Sequence, residues 1–323
     1  MLAIEAEKAG GPEVLRVIER PVPAPGPGQI LVRHKAVGLN FIDTYQRSGL
    51  YPIAFPAVLG LEAAGVVEAI GEGVTRFRIG DRAAYANGPV GAYSEAHCVP
   101  EGRAVHLPAS VSFETAAAAM LKGMTAEYLL RRCFPVQAGQ TILVHAAAGG
   151  TGQILVQWAT HLGATAIATA GGEEKMALAR KLGAAHTIDY RTEDVAKRVR
   201  EITGGVGVPV AYDSVGASTF EGTLGSLARR GMFVSFGNAS GPVPAFAPAR
   251  LQQAGSLYFT RPTLFDYAQT TEELDACAAA LFAVISSGAV KIDIGQTFPL
   301  SETRAAHEAL ESRATTGSTL LIP

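Results

Sequence analysis

The sequence predicts an α/β protein in two parts, a small irregular β-barrel and a doubly wound parallel sheet with helices on its faces. Three observations carry that expectation. The chain has 323 residues, more than the roughly 250–300 at which single cores stop growing, so two domains are expected. Its first third is a series of short β patterns broken by Gly and Pro. From about residue 141 onward, strand patterns alternate regularly with helical ones.

In chain order, residues 30–37 read as a strand entered through a turn-rich stretch at 21–28. Residues 65–70 form another, closed by Gly71-Glu72-Gly73, and 81–85 and 93–99 continue the β character. Pieces this short pack naturally as a small barrel. Ser112 then caps a helix starting at Phe113, with Thr115 where a full capping box would place Glu. Strands are expected at 141–146, 165–169, 186–189, 209–213, 232–236 and 256–259. Helices are expected between them at 151–162, 173–182, 192–202, 218–229 and 248–253. Such alternation demands parallel strands joined by crossover helices.

The tail departs from that rhythm. A helix at 271–287, capped by Thr270 or Thr271 and stopped by Gly288, precedes a strand at 296–300, a helix at 302–311 and a strand at 318–322. These pieces do not extend a parallel sheet. They are expected to return to the first domain, making it discontinuous: 1–122 with 265–323, around a second domain at 123–264.

Composition narrows the function classes. A net charge of −2 gives no reason to expect nucleic acid or an anionic membrane as partner. Apolar runs are too short to span a bilayer, and the first residues lack the pattern of a signal peptide. Cys98, Cys133 and Cys277 form no CxxC pair and read as free thiols. A soluble cytoplasmic protein is expected.

The strand pattern at 141–146 runs straight into Ala147-Ala148-Gly149-Gly150-Thr151-Gly152, followed at once by a helix. In that context a glycine turn binds a dinucleotide. Glycines let backbone N–H groups approach the pyrophosphate, and the helix N-terminus adds positive partial charge. Ala147 takes the first glycine position, giving AxGxxG. An NAD site generally carries an acid about 20 residues on, at the end of the second strand. Here that strand ends in Ala170-Gly171-Gly172, with Glu173 and Glu174 in the next helix. Lys175 follows, placed for a 2′-phosphate or simply as a solvated helix cation. The missing acid favours NADPH. Asp213-Ser214-Val215-Gly216 and Phe236-Gly237-Asn238-Ala239-Ser240-Gly241 each follow a strand and either line the cofactor or make plain turns.

Asn40-Phe41-Ile42-Asp43-Thr44-Tyr45, the glycine turn with its strand, the residues around Tyr212 to Gly216 and Thr260-Arg261-Pro262 together resemble bacterial NADPH:quinone oxidoreductases. These are zeta-crystallin-like, zinc-free members of the medium-chain dehydrogenase/reductase superfamily, and the resemblance covers nearly the whole chain. It implies a GroES-like β-barrel catalytic domain interrupted by a Rossmann domain, NADPH in the cleft between them, and a homodimer joined through the last Rossmann strands. It places Asn40, Phe41, Ile42, Asp43, Thr44, Tyr45, Tyr128, Pro262, Thr263 and Leu264 against the nicotinamide half. Gly149, Gly150, Thr151 and Gly152 would hold the phosphates, and Gly171, Lys175 and Tyr190 the 2′-phosphate. Ser214, Phe236, Gly237, Asn238, Ala239 and Arg313 would complete the site.

Zinc alcohol dehydrogenases share this outline, but their catalytic cysteine and its neighbouring histidine fall here at Asn40 and Phe41. Their Gly-His-Glu motif is matched by Gly60-Leu61-Glu62, and only Cys98 lies where a four-cysteine lobe would sit. Neither a three-ligand nor a four-ligand zinc site can be assembled, so no metal is expected. A quinone needs no Lewis acid, because hydride acceptance gives a stabilised aromatic anion. Direct hydride transfer is expected, with Tyr45 and Tyr51 as donors to the developing oxyanion and Asn40 orienting the nicotinamide amide. Tyr51 can equally be a packing residue before Pro52. The alternatives are NADPH-dependent C=C reduction of an enone or enal, and a nucleotide-binding protein with a structural or RNA-associated role. The absence of a basic stripe counts against RNA.

Overall fold

The computed structural model describes residues 1–312 and 315–323. The chain divides into two compact units, one of residues 1–124, 267–287 and 292–323, the other of 125–266 and 288–291.

The first unit opens with strands β1 (Leu2–Ala6), β2 (Leu15–Glu19) and β3 (Gln29–Leu39), then helix α1 (Phe41–Ser48). Strands β4 (Ala57–Val58), β5 (Glu62–Ile70), β6 (Arg82–Tyr85), β7 (Ala96–Pro100) and β8 (Val105–His106) follow, before α2 (Phe113–Tyr128). The tail returns to it as α9 (Thr271–Ser286), β15 (Ile294–Pro299), α10 (Thr303–Glu311) and β16 (Ser318–Ile322). β16 lies antiparallel to β3, with Leu320 opposite Gly38, so the last strand closes the sheet begun near the N-terminus. Ile4, Ile30, Val67, Phe77, Tyr93 and Leu321 are among the side chains buried in this core. Each large apolar side chain removed from water stabilises by about 1.5–3 kcal/mol.

Two caps in this unit follow from their residue types. The Ser112 hydroxyl accepts the Thr115 N–H at 3.0 Å, starting α2. Thr270 makes a full capping box with Glu273 at the start of α9, which settles the cap on Thr270.

The second unit is a six-stranded parallel sheet in the order β11-β10-β9-β12-β13-β14. Its strands are β9 (Thr141–Val144), β10 (Thr165–Ala170), β11 (His186–Asp189), β12 (Val208–Asp213), β13 (Leu227–Ser235) and β14 (Tyr258–Thr260). Between them run α3 (Gly150–His161), α4 (Glu173–Lys181), α5 (Val195–Ile202), α6 (Phe220–Ser226) and α7 (Ala249–Gln253), with α8 (Leu264–Tyr267) after the last strand. Leu143, Ile167, Ile188, Val208, Phe220 and Phe233 fill its core.

Three expectations need correction. The region read as purely β contains α1: Asn40 is extended, the Asp43 carboxylate accepts its N–H at 2.8 Å, and Gly49 ends the helix left-handed at φ 82°. The helix expected over 218–229 stops at Ser226, because fully buried Leu227 joins the sheet opposite Val208. The surplus residues bulge out around Arg230, at φ 60°, before Met232 rejoins the ladder opposite Val210. The last parallel strand begins at Tyr258 rather than 256, since Gly255 and Ser256 are both left-handed turn residues.

Candidate functional site

In the second unit the strand order turns at β9 and β12, and the loops leaving their carboxyl ends are the expected ligand positions. After β9 the chain turns through Ala146, which is left-handed at φ 49°, and Gly149 caps α3. A Cβ on Gly152 would lie 2.3 Å from the Ala146 carbonyl oxygen and 2.8 Å from the Ala147 Cα. Only glycine lets the helix start this close to the strand. The Ala147 N–H donates to the Thr169 carbonyl at 3.0 Å, fastening the turn to the end of β10.

A buried network joins three strand ends beneath these loops. His145 meets the Thr169 hydroxyl at 3.1 Å through Nδ1 and the Thr223 hydroxyl at 3.0 Å through Nε2. Thr223 in turn donates to Asp213 Oδ2 at 2.9 Å, beside Thr219 at 2.7 Å. Asp213 Oδ1 accepts the N–H groups of Val215 (2.7 Å) and Gly216 (3.0 Å), so the carboxylate shapes the loop that carries Ser214. Burial lowers the His145 pKa, keeping the ring neutral. The sequence offered Asp213 only within the Asp-Ser-Val-Gly loop and His145 only as the end of a strand, and gave no role to Thr223. The apolar surroundings of His145 and the Asp-Ser-Val-Gly turn were the available signals.

The loops after β12 and β13 pack on each other. Phe236 N–H donates to Asp213 O at 2.8 Å, Ala239 N–H to Ser214 O at 3.2 Å and Ser240 N–H to Val215 O at 2.7 Å. A Cβ on Gly237 would come within 2.3 Å of the Ser214 oxygen. Arg261, after β14, donates to the Gly237 oxygen at 3.2 Å, which ties the segment Pro262, Thr263 and Leu264 to the same loops. Ser214, Phe236, Gly237, Asn238 and Ala239 are thus brought together.

The end of β10 forms a second feature. The Tyr190 hydroxyl lies where a Cβ on Gly171 would approach it to 2.6 Å, and Gly172 is left-handed at φ 93° beneath the Arg191 guanidinium. Arg191 holds the Asp189 carboxyl below its usual range. Lys175 sits in the first turn of α4. Gly171, Lys175 and Tyr190 therefore share one corner of this unit, with Arg191 as a cation that sequence reasoning missed.

In the first unit Asn40 stands at the head of α1. Phe41, Tyr45 and Tyr51 form a ring series, with centroids 6.3 Å and 5.3 Å apart. Phe41, Ile42, Tyr45 and Tyr51 are half-buried, whereas Asp43 and Thr44 are buried. The Thr44 hydroxyl donates to Phe41 O at 2.7 Å. The Asp43 carboxyl is used inside the protein, and its pKa is pushed up to about 7 by burial. Tyr128, at the end of α2 and already within the second unit, is only 2% exposed. Arg313 lies outside the described residues. Leu61 is buried in the apolar core, and no cluster of three metal-binding side chains occurs among the described residues.

Residues 26–133 match the alcohol dehydrogenase GroES-like domain and residues 150–281 the zinc-binding dehydrogenase family. A GroES-like domain followed by a Rossmann domain defines a medium-chain dehydrogenase/reductase. The chain is 55% identical to a quinone oxidoreductase of Pseudomonas aeruginosa over 97% of both chains. The quinone oxidoreductase of Escherichia coli, solved in complex with NADPH, superposes with a TM-score of 0.99 at 50% identity, covering all of both chains. A 2-haloacrylate reductase from Burkholderia is 44% identical over 100% of this chain and 99% of its own. The chain belongs to the quinone oxidoreductase family. No helix among the described residues is long and apolar enough to cross a membrane.

Proposed function

We propose that the chain reduces quinones with NADPH by direct hydride transfer and without a metal. The observation that carries this reading is a pair of facts about residue types. The nucleotide turn Ala147–Gly152 is intact, while the positions that hold catalytic zinc in alcohol dehydrogenases are Asn40, Phe41 and Leu61. An amide nitrogen already given to a carboxylate and two apolar side chains do not make a zinc site.

The residues take the following roles. Gly149, Gly150, Thr151 and Gly152 hold the pyrophosphate at the start of α3. Lys175 and Tyr190, beside Gly171, take the 2′-phosphate where an NAD enzyme would carry an acid. Ser214, Phe236, Gly237, Asn238 and Ala239 line the cofactor, with Arg313 completing the site and Pro262, Thr263, Leu264 and Tyr128 toward the nicotinamide. Bound NADPH supplies the hydride from its C4. The acceptor becomes a hydroquinone monoanion and then takes one proton, with Tyr45 or Tyr51 donating a hydrogen bond to the oxyanion. A cytoplasmic homodimer, joined along the outer strand β14 with its exposed Tyr258, completes the reading.

The similarity to a 2-haloacrylate reductase supports a second reading, reduction of an activated C=C bond in the same site. Steady-state NADPH oxidation with a panel of quinones, enones and haloacrylates separates the two. The main reading expects kcat/KM for the best quinone to exceed that for every enone. A preference for the C=C acceptors overturns it, and tight NADPH binding with no turnover favours a structural role.

A further inference from the structure

Asn40 is gripped from two sides by carboxylates that are both fully buried. Its backbone N–H donates to Asp43 Oδ2 at 2.8 Å, and its side-chain nitrogen donates to Glu62 Oε2 at 2.7 Å. We infer that Glu62 and the buried chain Arg47–His307–Tyr93–Asp43 are positioning residues, which together present the amide oxygen of Asn40 as a fixed hydrogen-bond acceptor. The group it would accept from is an N–H of the nicotinamide carboxamide. This rests on the reading of Asn40 as a nicotinamide-facing residue.

The Glu62 side of the clamp is built to measure. Oε1 accepts the Leu121 N–H at 2.6 Å, and Lys122 Nζ approaches Oε2 at 3.4 Å. A Cβ on residue 38 would lie 2.2 Å from Oε2, so glycine at that position makes the seat. The Asn40 group facing Oε2 is its NH2, at 2.7 Å, and the amide oxygen turns away from Glu62. On that side it also caps the Asp43 N–H and keeps a second lone pair to accept with.

The Asp43 side has a direction that chemistry fixes. Arg47, 2% exposed, places Nη1 2.9 Å from His307 Nδ1 and reaches Glu311 at 2.7 Å. A guanidinium has no acceptor, so Nδ1 must be unprotonated. Burial first, and then the Arg47 charge, bring the His307 pKa down to about 3, so the ring is neutral and carries its hydrogen on Nε2. That N–H donates to the Tyr93 oxygen at 3.0 Å. The single Tyr93 proton then goes to Asp43 Oδ2 at 2.9 Å. Every link points from Arg47 toward Asp43.

Asp43 also faces Glu62 and Lys122 through space. Its Oδ1 is buried and has no hydrogen-bond partner among the described residues. A proton taken up there leaves Oδ2 as the acceptor, so the clamp holds in both states of the carboxyl.

Two measurements test the inference. The first needs no turnover: 15N NMR of His307 in the full chain, with His307→Gln as the assignment control. The expected result is an unprotonated Nδ1 and a protonated Nε2, unchanged from pH 6 to pH 9. The reverse tautomer, or a ring that titrates in that range, overturns the chain's direction. The second compares Tyr93→Phe, His307→Leu and His307→Gln in quinone reduction and NADPH titration, each variant first shown to be folded. Misplacement by about 1 Å can cost on the order of 100-fold in rate. Tyr93→Phe and His307→Leu should lower kcat about 10- to 100-fold by that argument, with the NADPH Kd changed less than about threefold. His307→Gln, which keeps one acceptor and one donor, should restore most of the loss. Folded variants with unchanged kcat, or equal losses in His307→Leu and His307→Gln, overturn the inference. A wild-type chain that reduces no quinone counts against hydride transfer and leaves the tautomer measurement to decide the clamp.

Discussion

Lowering the pH from 8 to 5 is expected to destabilise the folded chain by roughly 3 kcal/mol, the difference between two opposing linkages. Burial is the first cause holding His34 and His307 to a pKa of about 3 and His97 to about 4. An unfolded histidine titrates near about 6.5. Below that pH the unfolded chain takes up three protons that the folded chain refuses, so stability falls with falling pH. Each histidine contributes a loss of roughly 2 kcal/mol at pH 5 by linkage. Asp43 acts in the opposite sense. Its pKa is pushed up to about 7, against about 3.9 for an unfolded aspartate, so between those values the folded chain holds the extra proton. That offsets roughly 3 kcal/mol at pH 5. His145, lowered by burial, adds to the loss. Urea unfolding followed by circular dichroism at the two pH values measures the difference. Asp43→Asn removes the offset and should steepen the loss to roughly 6 kcal/mol. Equal or greater stability at pH 5 would refute the assignment of these histidines as buried and neutral.

Three substitutions test the nucleotide site and its scaffold. Gly152→Ala sets a Cβ against two backbone atoms, so overpacking of about 1–3 kcal/mol should weaken NADPH binding by at least about fivefold; fluorescence titration with an unchanged Kd would contradict the close approach. Gly222→Ala, inside α6 with its nearest neighbour at 3.7 Å, should instead leave the protein as stable or up to about 1 kcal/mol more so in thermal unfolding. Lys175→Ala removes a charged contact of about 1.5–3 kcal/mol, so the NADPH-over-NADH ratio of kcat/KM should fall about 10- to 100-fold. An unaltered ratio would remove Lys175 from the 2′-phosphate site and direct attention to Arg191.

The sequence made the parallel sheet legible because its strands are short, apolar and evenly spaced, and the glycine turn marked the first of them. The returning tail was legible for a related reason, since the strands expected at 296–300 and 318–322, observed at Ile294–Pro299 and Ser318–Ile322, had no place in that sheet. Helix α1 was missed although its signals were local: Asn40 as cap, Asp43 three residues on and Gly49 at the end. The surrounding Gly and Pro and the β context outweighed them. The helix α6 boundary depended on a long-range fact, the burial of Leu227 against β12, which no window of sequence contains. Among site residues, those in contiguous motifs were found. Glu62, Tyr93 and His307 were not, because they meet Asn40 and Asp43 only after strands from distant parts of the chain are brought together.

The most direct test of metal-free hydride transfer is the kinetic isotope effect on quinone reduction with NADPH deuterated at C4, measured on full-length protein after exhaustive chelation. The account predicts full activity after chelation and a primary isotope effect on the hydride-transfer step in single-turnover mixing. Activity lost on chelation and restored by added zinc would contradict it, as would quinone reduction that shows no isotope effect in a single turnover.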